Sequence, residues 1–237
     1  VTITVDGKEY DGTVKSLIEM AKLFAGNKTA HVTFYGDNNY NTKELDVNFT
    51  VYRVDPTINV TIADVTYPEN ATALVNVSNN ANGTIEIYYG NVKVGDGSIA
   101  NGTATVNLTR MAAGVHEVTV KFITGDNYNN NISTKAKFEV YKAESTIINI
   151  TQRGNDVIVT VGPSGATGNV TIYVNGKIST QDIVNGNATF DGVLDVGDNF
   201  ITAIYNGNAN YTIALGNATF IGNRTNSTIN VTAANVT

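Results

Sequence analysis

An all-β protein made of tandem copies of one small module is predicted by three observations. The first is a stretch that recurs. Leu23, Gly26, Phe34 and Tyr40 return as Met111, Gly114, Phe122 and Tyr128, each 88 residues on, and as Leu194, Gly197, Tyr205 and Tyr211, each 83 further. Phe49, Phe138 and Phe220 close the three copies. The second is the period-two alternation of apolar and polar residues that marks half-buried strands. The third is the Gly, Asn and Asp clusters between these runs, which are turn chemistry. A copy of roughly 80–90 residues can bury a modest core of its own, so the chain reads as several small domains.

The first copy, residues 1–56, opens on Val1-Thr2-Ile3-Thr4-Val5 and an Asp6-Gly7 turn. That strand matches Ile85 to Asn91 and Val170 to Lys177, which in the later copies follow about 25 further residues. The first copy is therefore expected to lack its opening strands. Ser16 and Glu19 have capping-box spacing, and Leu17, Met20, Ala21 and Phe24 fall at helical spacing, which predicts one helical turn. Ala30, Val32 and Phe34 then carry a strand, Gly36 to Tyr40 a loop, and Val47, Phe49 and Val51 the closing strand.

Asp55-Pro56 marks the first boundary, since proline cannot continue a strand ladder. The second copy, 57–144, opens on Ile58, Val60 and Ile62. Leu74, Val75 and Val77 carry its second strand and Ile85, Ile87 and Tyr89 its third, and Thr103–Leu108, Val118–Phe122 and Phe138–Tyr141 bring it to about seven. The third copy, 145–225, repeats this from Thr146. At 226–237 the opening strand starts again as Thr228 to Thr232. Short linkers predict modules placed end to end in an extended rod.

Seven short alternating strands in about 85 residues are the signature of an immunoglobulin-like β-sandwich. With no Cys anywhere, the modules rely on core packing rather than disulfides. The net charge of −6 speaks against a nucleic-acid partner. No run reaches the length of a membrane span, so any membrane or cell-wall anchoring is expected from regions outside this sequence.

The order of Leu23 and Gly26, then Gly36-Asp37-Asn38-Asn39-Tyr40-Asn41, then Phe49-Thr50-Val51-Tyr52 resembles the bacterial-type Ig-like repeats of methanogen adhesin-like surface proteins. Gly125 to Asn129 and Phe138 to Tyr141 repeat it, while Asn208 and Gly222 depart from it. The resemblance implies an archaeal, extracellular, cell-surface protein with a role in cell contact. Its partners would be host or neighbouring-cell glycans or proteins.

Asn-x-Ser/Thr triplets occur eighteen times, against roughly six expected by chance from 33 Asn and 40 Ser plus Thr. Residues two apart on a strand share a face, so the outward triplets are glycosylation candidates: Asn59, Asn107, Asn149, Asn187, Asn217 and Asn230. The same alternation explains part of the excess without any modification. Asp37, Asp96, Asp126, Asp195 and Asp198 lie in turns, lack calcium-loop spacing, and are expected to hold backbone. His31 and His116 are not equivalent between copies and are expected on solvent-facing positions, so neither a metal site nor a nucleophile–base pair is predicted. Lys8 and Lys177 recur after a turn and are expected to be exposed, which argues against an internal Lys–Asn cross-link. Tyr88, Tyr89, Tyr173 and Tyr205 are expected in core or interface packing rather than on a sugar-binding face.

The expected function is that of a non-enzymatic stalk segment without cofactor, glycosylated and projecting a distal binding region. One alternative is a module that binds glycans or proteins through its own loops. Another is assembly, in which the 228–232 strand complements the open edge of another chain's first copy.

Overall fold

A computed structural model describes residues 1–11, 13, 16, 19, 22–78, 81–124, 132–224 and 228–232. The strands follow the alternation. In the first copy they are β1 (Thr2–Val5), β2 (Lys8–Tyr10), β3 (Gly26–Phe34) and β4 (Lys43–Val51), paired in the order β2-β1-β3-β4. Pairing sets Ala30 opposite Val47 and Val32 opposite Leu45 on one face, and His31 opposite Asp46 on the other. Val5, Tyr10 and Ala30 are buried, with Ile3, Leu23 and Phe49 packed on them. Leu45 and Val47, on the same apolar face, stay exposed.

The second copy holds β5 (Ile58–Ile62), β6 (Val65–Thr66), β7 (Thr72–Val77), β8 (Gly83–Tyr89), β9 (Val92–Ile99), β10 (Thr103–Asn107), β11 (Gly114–Ile123) and β12 (Ile132–Tyr141). One sheet runs β10-β7-β5 and the other β12-β11-β8-β9. The two-residue β6, absent from the sequence reading, pairs in parallel with Val140 and Tyr141. In β7 the inward residues are Ala73, Val75 and Val77, and Leu74 faces solvent. Leu74 is therefore an outward residue of a period-two strand, not a core residue.

The third copy is a two-sheet sandwich: β13 (Thr146–Arg153), β14 (Asp156–Gly162), β15 (Asn169–Val174), β16 (Lys177–Asp182), β17 (Asn187–Phe190), β18 (Gly197–Tyr205) and β19 (Ala214–Gly222). Its sheets run β13-β14-β17 and β16-β15-β18-β19. Val157, Val159, Ala188 and Phe190 from one sheet meet Val170, Ile172, Ile201 and Ala203 from the other in a single buried cluster. Each fully buried aliphatic or aromatic side chain there contributes about 1.5–3 kcal/mol of transfer free energy. The fold is thus tandem immunoglobulin-like β-sandwich repeats.

Two expectations are corrected. At the helical turn, Ser16 and Glu19 are helical, but the cap is Thr13, whose Oγ1 accepts the Ser16 N–H at 3.3 Å. The Asp11 carboxylate takes the Ser16 hydroxyl and the Thr13 N–H, and these bonds hold its pKa down to about 2. Leu17, Met20 and Ala21 lie outside the described residues. Residues 228–232 form no strand, and Ile229 and Val231 are exposed. A β-pattern alone does not make a strand without a neighbouring strand to pair with.

Backbone contacts divide the chain into two compact units. One comprises residues 1–63, 70–109 and 115–138. The other comprises 64–69, 110–114 and 139–237. Inside the latter, Tyr67 meets Tyr211 edge to face at 5.5 Å, and Asn210 Oδ1 accepts the Ala113 N–H at 2.9 Å. Ala143 and Thr212 close it with backbone bonds to Asn210 and back to Ala143.

Phe190→Ala should lower the unfolding free energy of the third copy by about 3–5 kcal/mol in urea denaturation. Leu74→Thr, on an outward position, should change stability by less than about 0.5 kcal/mol. Equal effects of the two would contradict the inward–outward assignment.

Candidate functional site

The outward face of the strands is where the Asn-x-Ser/Thr triplets collect, and antiparallel pairing makes that motif complementary to itself. When one triplet runs against another, each Asn stands opposite a Thr. Asn27 pairs with Thr50 and Thr29 with Asn48. Thr50 Oγ1 donates to Asn27 Oδ1 at 2.9 Å and Thr29 Oγ1 to Asn48 Oδ1 at 2.8 Å. The triplets at 70–72 and 107–109 lie the same way, with Thr72 Oγ1 donating to Asn107 Oδ1 at 3.0 Å and the Leu108 N–H to the Ala71 carbonyl. Those at 76–78 and 101–103 pair Asn76 with Thr103, and Val77 donates to Gly102. Such cross-strand pairs stabilise a sheet by about 0.2–1 kcal/mol each. Part of the triplet excess is therefore a pairing rule. The Thr29, Thr50 and Thr72 hydroxyls bond Oδ1 and leave the Nδ2 amide, where a sugar would attach, outside the bond, while Thr103 Oγ1 donates to the Ala100 carbonyl at 3.4 Å.

Asn59 on β5, Asn107 on β10, Asn149 on β13 and Asn217 on β19 are exposed. Asn149 sits at the register shift of β13 against β14. Asn230 is exposed but belongs to no strand. Asn187 differs: it is half-buried, its Oδ1 accepts from Thr160 Oγ1 at 2.7 Å, and its Nδ2 donates to the Asn185 carbonyl at 3.3 Å. Its amide nitrogen is already bonded to the turn that precedes β17.

Of the acids expected in turns, Asp37 holds backbone, whereas Asp96 lies on β9 with Lys93 at 3.8 Å, Asp198 lies on β18, and the Asp195 carboxylate takes the Lys177 ammonium at 2.8 Å. Asp37 Oδ1 accepts the N–H groups of Asn39 and Tyr40 at 2.7 and 2.9 Å. Asn208 Oδ1 accepts those of Asn210 and Tyr211 at 2.7 and 3.0 Å. Either side chain offers the same acceptor oxygen, which is why Asn replaces Asp in the third copy. The preceding Gly36 and Gly207 have φ of +80° and +69°, and a Cβ would stand 2.6 Å from the Tyr40 carbonyl and 2.9 Å from that of Tyr211. Asp126 lies outside the described residues. Among the described residues no cluster of His, Asp and Glu is arranged to hold a metal ion.

A buried polar position went unnoticed in the sequence. Two residues after the recurring glycine, the strand points inward and carries Lys28, His116 or Asn199. Lys28 Nζ reaches the Asp6 carboxylate at 2.5 Å. The fully buried Asn199 accepts the Asp195 N–H and the Asn175 amide, and donates to the Asp195 and Gly197 carbonyls. His116 is buried, not solvent-facing, with its ring 5.3 Å from that of Tyr89 and 5.5 Å from that of Phe138. Asp6 and Asn175 occupy one position of the repeat, and Gly90 stands there in the second copy. The available signal was a polar residue on an otherwise apolar register, with a partner that changes alongside it.

His31 lies on the outward face as expected. Its Nδ1 is 2.6 Å from Asp46 Oδ1, and Glu44 stands 3.9 Å from Nε2. The Asp46 hydrogen bond, then the charges of Asp46 and Glu44, raise the His31 pKa. The tyrosines do not share a face. Tyr205 is fully buried and donates its hydroxyl to the Thr167 carbonyl at 2.8 Å, whereas Tyr89 and Tyr173 are exposed. Lys8 and Lys177 are exposed and ion-paired, to Glu19 and Asp195.

Residues 57–141 match the family model of a bacterial Ig-like domain, group 3. The repeat is immunoglobulin-like. Among solved structures, the chain is similar to a two-domain fibronectin type III segment of chicken tenascin, with 10% identity and a TM-score of 0.43. That match covers 70% of this chain and 100% of the other. The titin domains Z1Z2 match at 16% identity and a TM-score of 0.38, over 72% and 98% of the two chains. The fibronectin(III)-like modules of Clostridium thermocellum CbhA match at 13% identity and a TM-score of 0.27, over 70% and 94%. No curated protein sequence matches the chain.

Titration of the His31 ring by NMR should place its midpoint above 6.5, and Asp46→Asn should bring it back toward that value. Because the folded-state pKa is the raised one, the pair's contribution to stability is fully present below about pH 6.5 and is lost as pH rises through the folded pKa. A midpoint at or below 6.5 would contradict the ion pair.

Proposed function

We propose that this chain is a non-enzymatic structural segment of a cell-surface, adhesin-like protein. Its immunoglobulin-like repeats act as an extracellular stalk that projects a distal binding region toward glycans or proteins of a neighbouring cell. The resemblance of the Leu23–Tyr52 stretch to methanogen repeats supports an archaeal surface setting.

The observation that carries this reading is the division of labour along each strand. Inward positions hold a sandwich core, and outward positions carry Asn-x-Ser/Thr rows alongside exposed ion pairs. A surface of that composition suits sugar attachment, and sugars on β5 and β19 would shield sheet edges from pairing with other chains.

The test is site-resolved mass spectrometry of the chain secreted from cells that glycosylate Asn-x-Ser/Thr. Asn59, Asn107 and Asn149 should carry sugar, and Asn187, whose Nδ2 is bonded to Asn185, should not. A secreted chain bare at every triplet would overturn the glycosylated-stalk reading.

A further inference from the structure

The three copies present the same sheet face to solvent, and in the third copy that face changes character. Cross-strand register fixes the equivalent positions. Tyr173 pairs with Ile178 and Thr202, as Tyr88 does with Lys93 and Thr119, and as Thr4 does with Glu9 and His31. In the second copy the face is charged and knitted by ion pairs, Lys135 and Lys137 to Glu117 and Lys93 to Glu86. In the first copy it carries Glu9, His31, Glu44 and Asp46 among threonines. In the third copy Tyr173, Ile178, Phe200, Ile204, Leu215 and Ile221 stand on that face, among Thr171, Thr180, Thr202 and Thr219. Phe200 is 59% exposed, Leu215 67% and Ile221 63%. Charge remains only at the two ends of the face, at Asp182 and Asp198.

A triplet stands in the middle of this face. Asn217 and Thr219 lie on β19 between Leu215 and Ile221, opposite Thr202 and Phe200. The second copy has Lys135 and Lys137 there, and the first has Asp46 and Asn48. Only the third copy combines an uncharged, apolar face with an acceptor asparagine inside it. β19 is the edge of its sheet, so Asn217 is reachable from the side.

We infer that Asn217 is an N-glycosylation site whose sugar chain folds back over this face, with C–H surfaces of the pyranose rings resting on Phe200 and the flanking Leu215 and Ile221. The inference rests on the glycosylated reading above and adds to it a packing role for the sugar at Asn217. Size favours this occupant. Four strands about 4.8 Å apart and some six residues of about 3.4 Å give a face of roughly 300–400 Å². A face of that size is comparable to the largest apolar patch on a typical soluble monomer, about 300–600 Å² and often functional. It is also about half the ~800 Å² that one partner contributes to a stable protein interface. A sugar chain held at high local concentration by its own bond needs no larger area.

The test compares the full chain secreted from glycosylating cells with Thr219→Ala and Asn217→Gln variants, each checked for native circular dichroism. Thr61→Ala, which removes the Asn59 triplet, is the control. Peptide mapping should find sugar on Asn217, and loss of that sugar in both variants should raise binding of an apolar dye several-fold while Thr61→Ala leaves it unchanged. Asn217 bare while Asn59 and Asn149 carry sugar would overturn the inference and leave the stalk reading intact. So would a modified Asn217 whose removal leaves dye binding unchanged. Sugar at no site would overturn both. Dimerisation of the unmodified chain in sedimentation, abolished by Phe200→Thr, would assign the face to a second copy instead.

Discussion

The structure depends on burying two apolar sheet faces against each other without a single disulfide. In the third copy Val157, Val159 and Phe190 on one sheet close on Ile172, Ile201 and Tyr205 on the other, all essentially inaccessible to solvent. Since side chains alternate strictly along a strand, this requirement commits every second residue inward and leaves every other one outside. The outward residues are then available for pairing, modification or contact. The placement of the Asn-x-Thr rows follows from the core.

The inward polar position after the recurring glycine shows how one backbone site accepts different chemistry. Lys28 is neutralised by Asp6, Asn199 has both its oxygen and its amide nitrogen satisfied, and His116 lies between two aromatic rings. A buried polar group is tolerated when its bonding is met locally, and the partner changes with it from Asp6 to Asn175. The arrangement is a structural clasp between β1 and β3, or β15 and β18, rather than a reactive centre. The Asp37 and Asn208 turns follow the same logic, in which one acceptor oxygen over two N–H groups matters more than its charge.

Much of the fold was legible in the sequence. Alternation located the strands around Ile58, Val75, Ile87, Val120 and Phe138, and the repeat defined the copies. What escaped had physical reasons. Leu74 is apolar yet outward, because pairing register and not hydrophobicity decides the face. β6 is too short to show a period. The helical turn was sensed, but its cap was placed at Ser16 rather than Thr13, since either residue type satisfies the same spacing. His116 reads as a solvent position by its polarity, yet the strand register turns it inward. The triplets were found by motif, but their mutual pairing needed the register between strands. The apolar face of the third copy needs it too, because Phe200, Leu215 and Ile178 are distant in sequence and come to one face only through three strand pairs.

A segment whose inward residues build serial sandwiches and whose outward residues bear Asn and Thr is suited to spacing and shielding. Its mechanical behaviour is then the property that matters most. Single-molecule extension of the whole chain tests this directly. The account predicts separate rupture events for the second and third repeats, each releasing roughly 250–300 Å of chain for some 80 residues at about 3.3–3.6 Å per residue. Smooth extension without such events, or one event releasing both repeats together, would contradict the account.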